Sequence, residues 1–131
     1  MIGLDTNVLV RYIMQDDPKQ SPKAVKLIES LTVDAPGFVS LVSVVELGWV
    51  LSSCYALNRG QWAQTLELLL RTKEIVVDQA DQVLSALRAF KAGSADFADC
   101  LIERSAASAG CSRTVTFDAG AARTAGMTLI S

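Results

Sequence analysis

The chain alternates between short, unbroken apolar runs and longer stretches in which apolar residues recur every three or four positions. The short runs lie at 1–4, 37–40, 75–77, 114–117 and 127–130, and they are rich in β-branched or aromatic residues. Such runs predict strands buried on both faces, as in a parallel sheet. Between them the spacing is helical. Ser21-Pro22 predicts an N-cap with proline at the first helical position, followed by a stripe of Ala24, Leu27, Ile28 and Leu31. Residues 43–56 and 61–71 predict two further helices, separated by Asn58-Arg59-Gly60. Asp78 is the expected cap of a helix striped by Val83, Leu84, Leu87 and Phe90. Phe97, Ala98, Leu101, Ile102 and Ser105 stripe another, which Gly110 should end. Trp49 and Trp62 are expected to be core or helix-packing residues. Strands alternating with helices predict an α/β fold with right-handed crossovers. The expectation is one three-layer α/β/α domain over 1–131, with a mainly parallel five-stranded sheet.

Composition narrows the chemistry. Half of the residues are hydrophobic, and a chain of 131 residues is long enough to bury its own core without a staple. There is no histidine. That removes Ser-His-Asp and Cys-His catalysis, histidine-ligated zinc or haem, and imidazole acid–base work. The net charge of −2 gives no basic field of the kind that announces a nucleic-acid binder. The three cysteines, at 54, 100 and 111, form no Cys-x-x-Cys pair and are expected to be buried small apolar residues in a reducing compartment. An acidic residue at position 5 and no basic n-region argue against a signal peptide, and no apolar run approaches the ~18 residues of a membrane span. A soluble, cytoplasmic protein with no membrane partner is expected.

In an open parallel sheet, ligands bind beyond the carboxyl ends of the strands, where the following helices begin. Acids gather at those places: Asp5 after the first strand, Glu46 early in the helix after the second, Asp96 and Asp99 opening the helix before the fourth, and Asp118 directly after it. Each has a structural explanation. Ser43-Val44-Val45-Glu46 matches a capping box, Asp96-x-x-Asp99 resembles one, and Asp5 or Asp118 would serve as ordinary N-caps. Together they exceed what capping needs. Two unit charges ~4 Å apart repel by about 4 kcal/mol at an effective dielectric of 20, so five acids converging on one crevice need a cation. Oxygen donors without His or Cys favour Mg²⁺ or Mn²⁺. Such an ion would lower the pKa of a water and offset charge on phosphoryl oxygens, which suggests metal-assisted hydrolysis of a phosphodiester.

At this point the residues resemble a known family. Met-Ile-Gly-Leu-Asp5-Thr6-Asn7-Val-Leu-Val is similar to the opening of PIN-domain nucleases, and within them to the VapC-type ribonuclease toxins of toxin–antitoxin pairs. Ser43-Val-Val-Glu46-Leu resembles the second acidic motif, Ala95-Asp96-Phe97-Ala98-Asp99-Cys100-Leu101-Ile102 the third, and Thr114-Val-Thr-Phe-Asp118 the fourth. The resemblance implies that Asp5, Glu46 and Asp99 surround Mg²⁺ (Mn²⁺ being an alternative), with Asp118 in a more variable fourth position. It makes Asp96 an accessory acid and gives Thr6, Asn7 and Thr116 the task of orienting carboxylates. Ala119-Gly120 stands where many relatives carry a basic residue, leaving Arg123 as a nearby substitute for phosphate contact. The family further implies endonucleolytic cleavage of RNA, homodimerisation, and inhibition by a cognate antitoxin.

RNA binding is compatible with the charge, because the chain outside the five acids is net positive. Arg11, Lys19, Lys23, Lys26 and Arg123 are candidate phosphate contacts, with a solvated helix face as the alternative for each. Three other functions compete with this one. A phosphoaspartyl phosphatase needs Asp-x-Asp after the first strand, but position 7 is Asn. A receiver-type module needs a lysine after its fifth strand, where the chain has Ile130-Ser131. A catalytically silent PIN-like domain that binds a partner or RNA remains compatible with the sequence.

Overall fold

The computed structural model describes residues 1–130. Among them the order is β1 (Ile2–Gly3), α1 (Thr6–Met14), α2 (Gln20–Glu29), β2 (Gly37–Val39), α3 (Leu41–Cys54), α4 (Arg59–Arg71) and β3 (Ile75–Val77). There follow α5 (Ala80–Ala92), α6 (Phe97–Ser108), β4 (Val115–Thr116), α7 (Ala119–Thr124) and β5 (Thr128–Leu129). Every predicted strand is present, each inside its apolar run. Chain contacts divide the protein into two compact units, Met1–Asp78 and a second beginning at Gln79.

In the first unit β1, β2 and β3 form a parallel sheet in that order, with Ile2 opposite Gly37 and Gly37 opposite Ile75. The ladder continues past the strand ends, since the Leu4 N–H donates to the Phe38 carbonyl and the Asp78 N–H to the Val39 carbonyl. Buried Leu9, Val39, Val44, Leu47, Leu51 and Leu66 supply the core. Trp62 on α4 is buried and lies so close to Gly48 on α3 that a Cβ at position 48 would fall 2.8 Å from its ring.

The second unit has its own parallel pair, β4 with β5, in which Val115 faces Thr128 and Thr116 faces Leu129. Helices α5 and α6 pack together, and the rings of Phe90 and Phe97 meet edge to face at 5.9 Å and 80°. The five expected strands and their parallel sense are therefore found, but hydrogen bonds group them as three and two. An apolar run marks a strand; which edge it pairs with is decided by residues far away in sequence.

Several local expectations need correction. Ser21 is not an N-cap. It lies buried inside α2, and the Asp17 carboxylate instead accepts the N–H groups of Lys19 (2.9 Å) and Gln20 (2.7 Å). Pro22 still falls in the first turn, where its missing N–H leaves no bond unmade. Asp78 does not cap α5; Gln79 does, in a left-handed conformation and without a side-chain bond. Asn58 is no mere breaker, because it forms a capping box with Gln61 and starts α4 two residues early. Gly110 ends α6 as expected, at φ +96°. Cys100 is buried, but Cys54 and Cys111 are exposed, at a helix end and in a loop. Trp49 is 66% exposed, because Val44, Leu47, Gly48 and Leu51 already form the inward stripe of α3. Among the described residues no helix is long and apolar enough to cross a membrane.

Candidate active site

Strand β1 delivers the chain to Asp5, the N-cap of α1. One carboxylate oxygen, Oδ1, accepts the Thr6 N–H at 2.7 Å. The other has no protein partner among the described residues. Thr6 is buried at 5% exposure, and its hydroxyl has no hydrogen-bond partner. The threonine thus helps to orient Asp5 through its backbone, and a buried oxygen beside the acid remains unsatisfied. Asn7, next in line, is exposed.

Strand β2 leads to Ser40, and this serine, not Ser43, is the N-cap of α3. The Ser40 hydroxyl accepts the Ser43 N–H at 3.1 Å. The capping box expected for Ser43 and Glu46 is therefore absent. Starting the helix three residues earlier carries Glu46 into its second turn, too far along to reach the cap. Glu46 is exposed and makes no hydrogen bond or ion pair among the described residues. Helical spacing places it on one face with Val42 and Trp49, both exposed.

In the second unit Asp96 occupies the N-cap position of α6, but its side chain makes no capping bond. The proposed Asp96–Asp99 capping device is absent too. Asp99 stands half-buried in the first turn of the same helix. Burial pushes its carboxyl above the usual range, and the negative charges of Asp96 and Asp118 push it further in the same direction. The structure thus places Asp96 and Asp118 close enough to Asp99 for their charges to act on its carboxyl. Asp118 is the N-cap of α7, with Oδ1 accepting from Gly120 (2.8 Å) and Ala121 (3.4 Å). Its own N–H donates to the Thr116 hydroxyl at 3.0 Å, which fastens the turn between β4 and α7. The second oxygen of Asp118 has no protein partner among the described residues.

The structural and functional readings of these acids accordingly separate. Asp5 and Asp118 are real caps, yet capping occupies one oxygen of each. Glu46, Asp96 and Asp99 cap nothing. The donors in each unit are all oxygen: in the first a buried hydroxyl stands unsatisfied beside Asp5, and in the second the charges of Asp96 and Asp118 act against that of Asp99. Oxygen donors of this kind suit a hard divalent cation such as Mg²⁺ or Mn²⁺, which would offset that repulsion. Among the described residues, no group of three or more His, Cys, Asp or Glu is already gathered as a metal cage.

The basic residues divide. Arg11 is committed within its own unit, since its guanidinium donates to Gln20 (2.8 Å) and Tyr55 (3.2 Å) and pairs with Asp16. These bonds make it a cross-link within its own unit. Arg123, in the last turn of α7, is exposed and its side chain has no partner among the described residues, as is true of the side chains of Lys19, Lys23 and Lys26. One residue that sequence reasoning counted as buried strand stands out here. Phe117, immediately before Asp118, is 82% exposed. The signal available in the sequence is its place between the strand and Asp118: β4 ends at Thr116, so Phe117 falls in the turn, and Val115 two residues before it is exposed as well.

Matched against models of protein families, residues 2–127 fit that of the PIN domain. No curated protein matches the chain significantly.

Proposed function

The chain belongs to the PIN domain family, a nuclease-type fold generally associated with metal-dependent ribonucleases, and from that premise we propose that it is a Mg²⁺-dependent endoribonuclease serving as the toxin of a toxin–antitoxin pair. In this reading 1–131 act as a single nuclease domain in the cytoplasm, as a homodimer, and a cognate antitoxin covers the acidic cleft. The observation that carries the catalytic part is the state of the acids: Asp5 and Asp118 each keep an unbonded carboxylate oxygen, while Glu46 and Asp99 have no structural bond to make.

In this reading Asp5, Glu46 and Asp99 would hold the cation, with Asp118 as a further acid. When bound, the ion supplies Lewis acidity to the scissile phosphodiester and charge stabilisation to its oxygens. The chain's own contribution is orientation. The Thr6 N–H fixes one oxygen of Asp5, and the Gly120 and Ala121 N–H groups fix one oxygen of Asp118, so each second oxygen is aimed without further ordering. Arg123 contributes a phosphate contact outside the acids.

The test is cleavage of RNA in Mg²⁺ or Mn²⁺, with Asp5→Asn and Asp99→Asn as disabled variants whose fold is checked by circular dichroism. Activity that vanishes in EDTA and in both variants supports the reading; undiminished cleavage in either condition sinks it. A folded protein that binds RNA or a partner but never cuts would instead identify a silent PIN domain. The toxin role is tested by growth. Induction alone should arrest cells, and co-expression of the neighbouring small gene should relieve the arrest.

A further inference from the structure

Phe117 is the most exposed large hydrophobic side chain among the described residues, at 82%. Its backbone is nevertheless tightly held. On one side Thr116 belongs to β4, and its carbonyl accepts the Ile130 N–H at 2.8 Å. On the other, Asp118 is tied back to the Thr116 hydroxyl and forward to Gly120 and Ala121. A bulky ring is thus presented to solvent from a fixed turn, one residue from a candidate catalytic carboxylate. Phe97 makes a useful contrast. It also adjoins an acid of the site, Asp96, but its ring is buried against Phe90.

The unbonded carboxylate oxygen of Asp118 repels the phosphates of a polynucleotide, and Ala119-Gly120 directly beside it supplies no basic side chain. Beyond the phosphate contact proposed for Arg123, affinity next to Asp118 calls for a contact that does not depend on charge. An aromatic face offers that, because every nucleobase has a π surface to stack on it. The ordering cost is small, since the turn is already fixed and phenylalanine has only two side-chain torsions.

We propose that Phe117 is a substrate-binding residue that stacks on an unpaired nucleobase beside the scissile phosphate and so favours single-stranded over duplex RNA. A base inside a duplex has both faces covered and offers nothing to the ring. This role rests on the nuclease reading above, and its test is arranged so that the two fail separately.

The experiment compares wild type, Phe117→Ala and Phe117→Trp on a labelled single-stranded oligoribonucleotide and on the same sequence in duplex form. KM and kcat are measured separately, and affinity by fluorescence anisotropy in an Asp5→Asn background. Phe117→Ala should weaken single-strand binding about 5- to 150-fold, the range of one base stacked on an aromatic ring, with kcat nearly unchanged. Phe117→Trp should restore it. An oligomer lacking bases should bind wild type and Phe117→Ala alike. Equal KM for wild type and Phe117→Ala, with the wild type active, overturns the stacking role alone. So does a change confined to kcat, or one that accompanies an altered solution mass, which would make the ring a contact between copies. No cleavage by the wild type overturns the nuclease reading and the stacking with it.

Discussion

The Ser40 hydroxyl accepts the backbone N–H of Ser43 at 3.1 Å, and that bond decides how Glu46 is to be understood. With Ser40 as the cap, Glu46 has no task in the helix. Glu46→Gln should therefore leave stability within about 0.5 kcal/mol of wild type, as for surface changes that break no bond. RNA cleavage should fall by at least about 100-fold, because losing a metal-holding carboxylate exceeds the 10–100-fold seen for outer supporting groups. Ser40→Ala should do the reverse, lowering stability by about 1 kcal/mol while activity persists at temperatures where the protein is folded. Thermal melts beside initial cleavage rates check both.

Asp99 should weaken the metal-free fold at neutral pH. Its carboxyl is raised by burial and by Asp96 and Asp118, so the folded state holds the proton more tightly than the unfolded chain does. The resulting stability is complete below the ordinary aspartate range and is lost as pH rises through the raised value. In EDTA at pH 7, Asp99→Asn should melt above wild type, and the gap should close below about pH 4. Divalent metal should raise the melting temperature of wild type and have little effect on Asp99→Asn. An Asp99→Asn protein that melts lower at pH 7 would contradict the electrostatic account.

Asp118 caps α7, and the proposed nuclease function gives it a second duty; different substitutions should separate the two. Asparagine also caps helices, so Asp118→Asn should keep α7 and its stability but reduce cleavage. Asp118→Ala should lose the bonds from Gly120 and Ala121 as well, at a stability cost of about 1 kcal/mol. If the two variants melt alike, Asp118 is not the operative cap.

Gly48 has a purely steric role. A Cβ there would fall 2.8 Å from Cζ2 of Trp62, itself buried with no room to retreat. Gly48→Ala should destabilise by about 1–3 kcal/mol, the usual cost of overpacking, despite the better helix propensity of alanine. Denaturant titration reads this directly. Cleavage per folded molecule should stay unchanged.

Much of this protein was legible from its sequence alone, and for a physical reason. Hydrophobic spacing reports local burial, so the runs at 37–40 and 75–77 hold strands and the stripe through Val83, Leu87 and Phe90 is a helix. Residue type reports chemistry, so a chain without histidine but with Asp5, Glu46, Asp99 and Asp118 near strand ends reads as an all-oxygen site. Tertiary structure decided what depends on partners distant in sequence. It chose Ser40 over Ser43 as a cap, grouped the strands as three and two, and tied Arg11 to Asp16 and Tyr55. It also sent Trp49 and Phe117 outward while Trp62 and Phe97 went in. Each outcome turns on which neighbours fill the space or supply the bond, and a one-dimensional pattern does not contain that information.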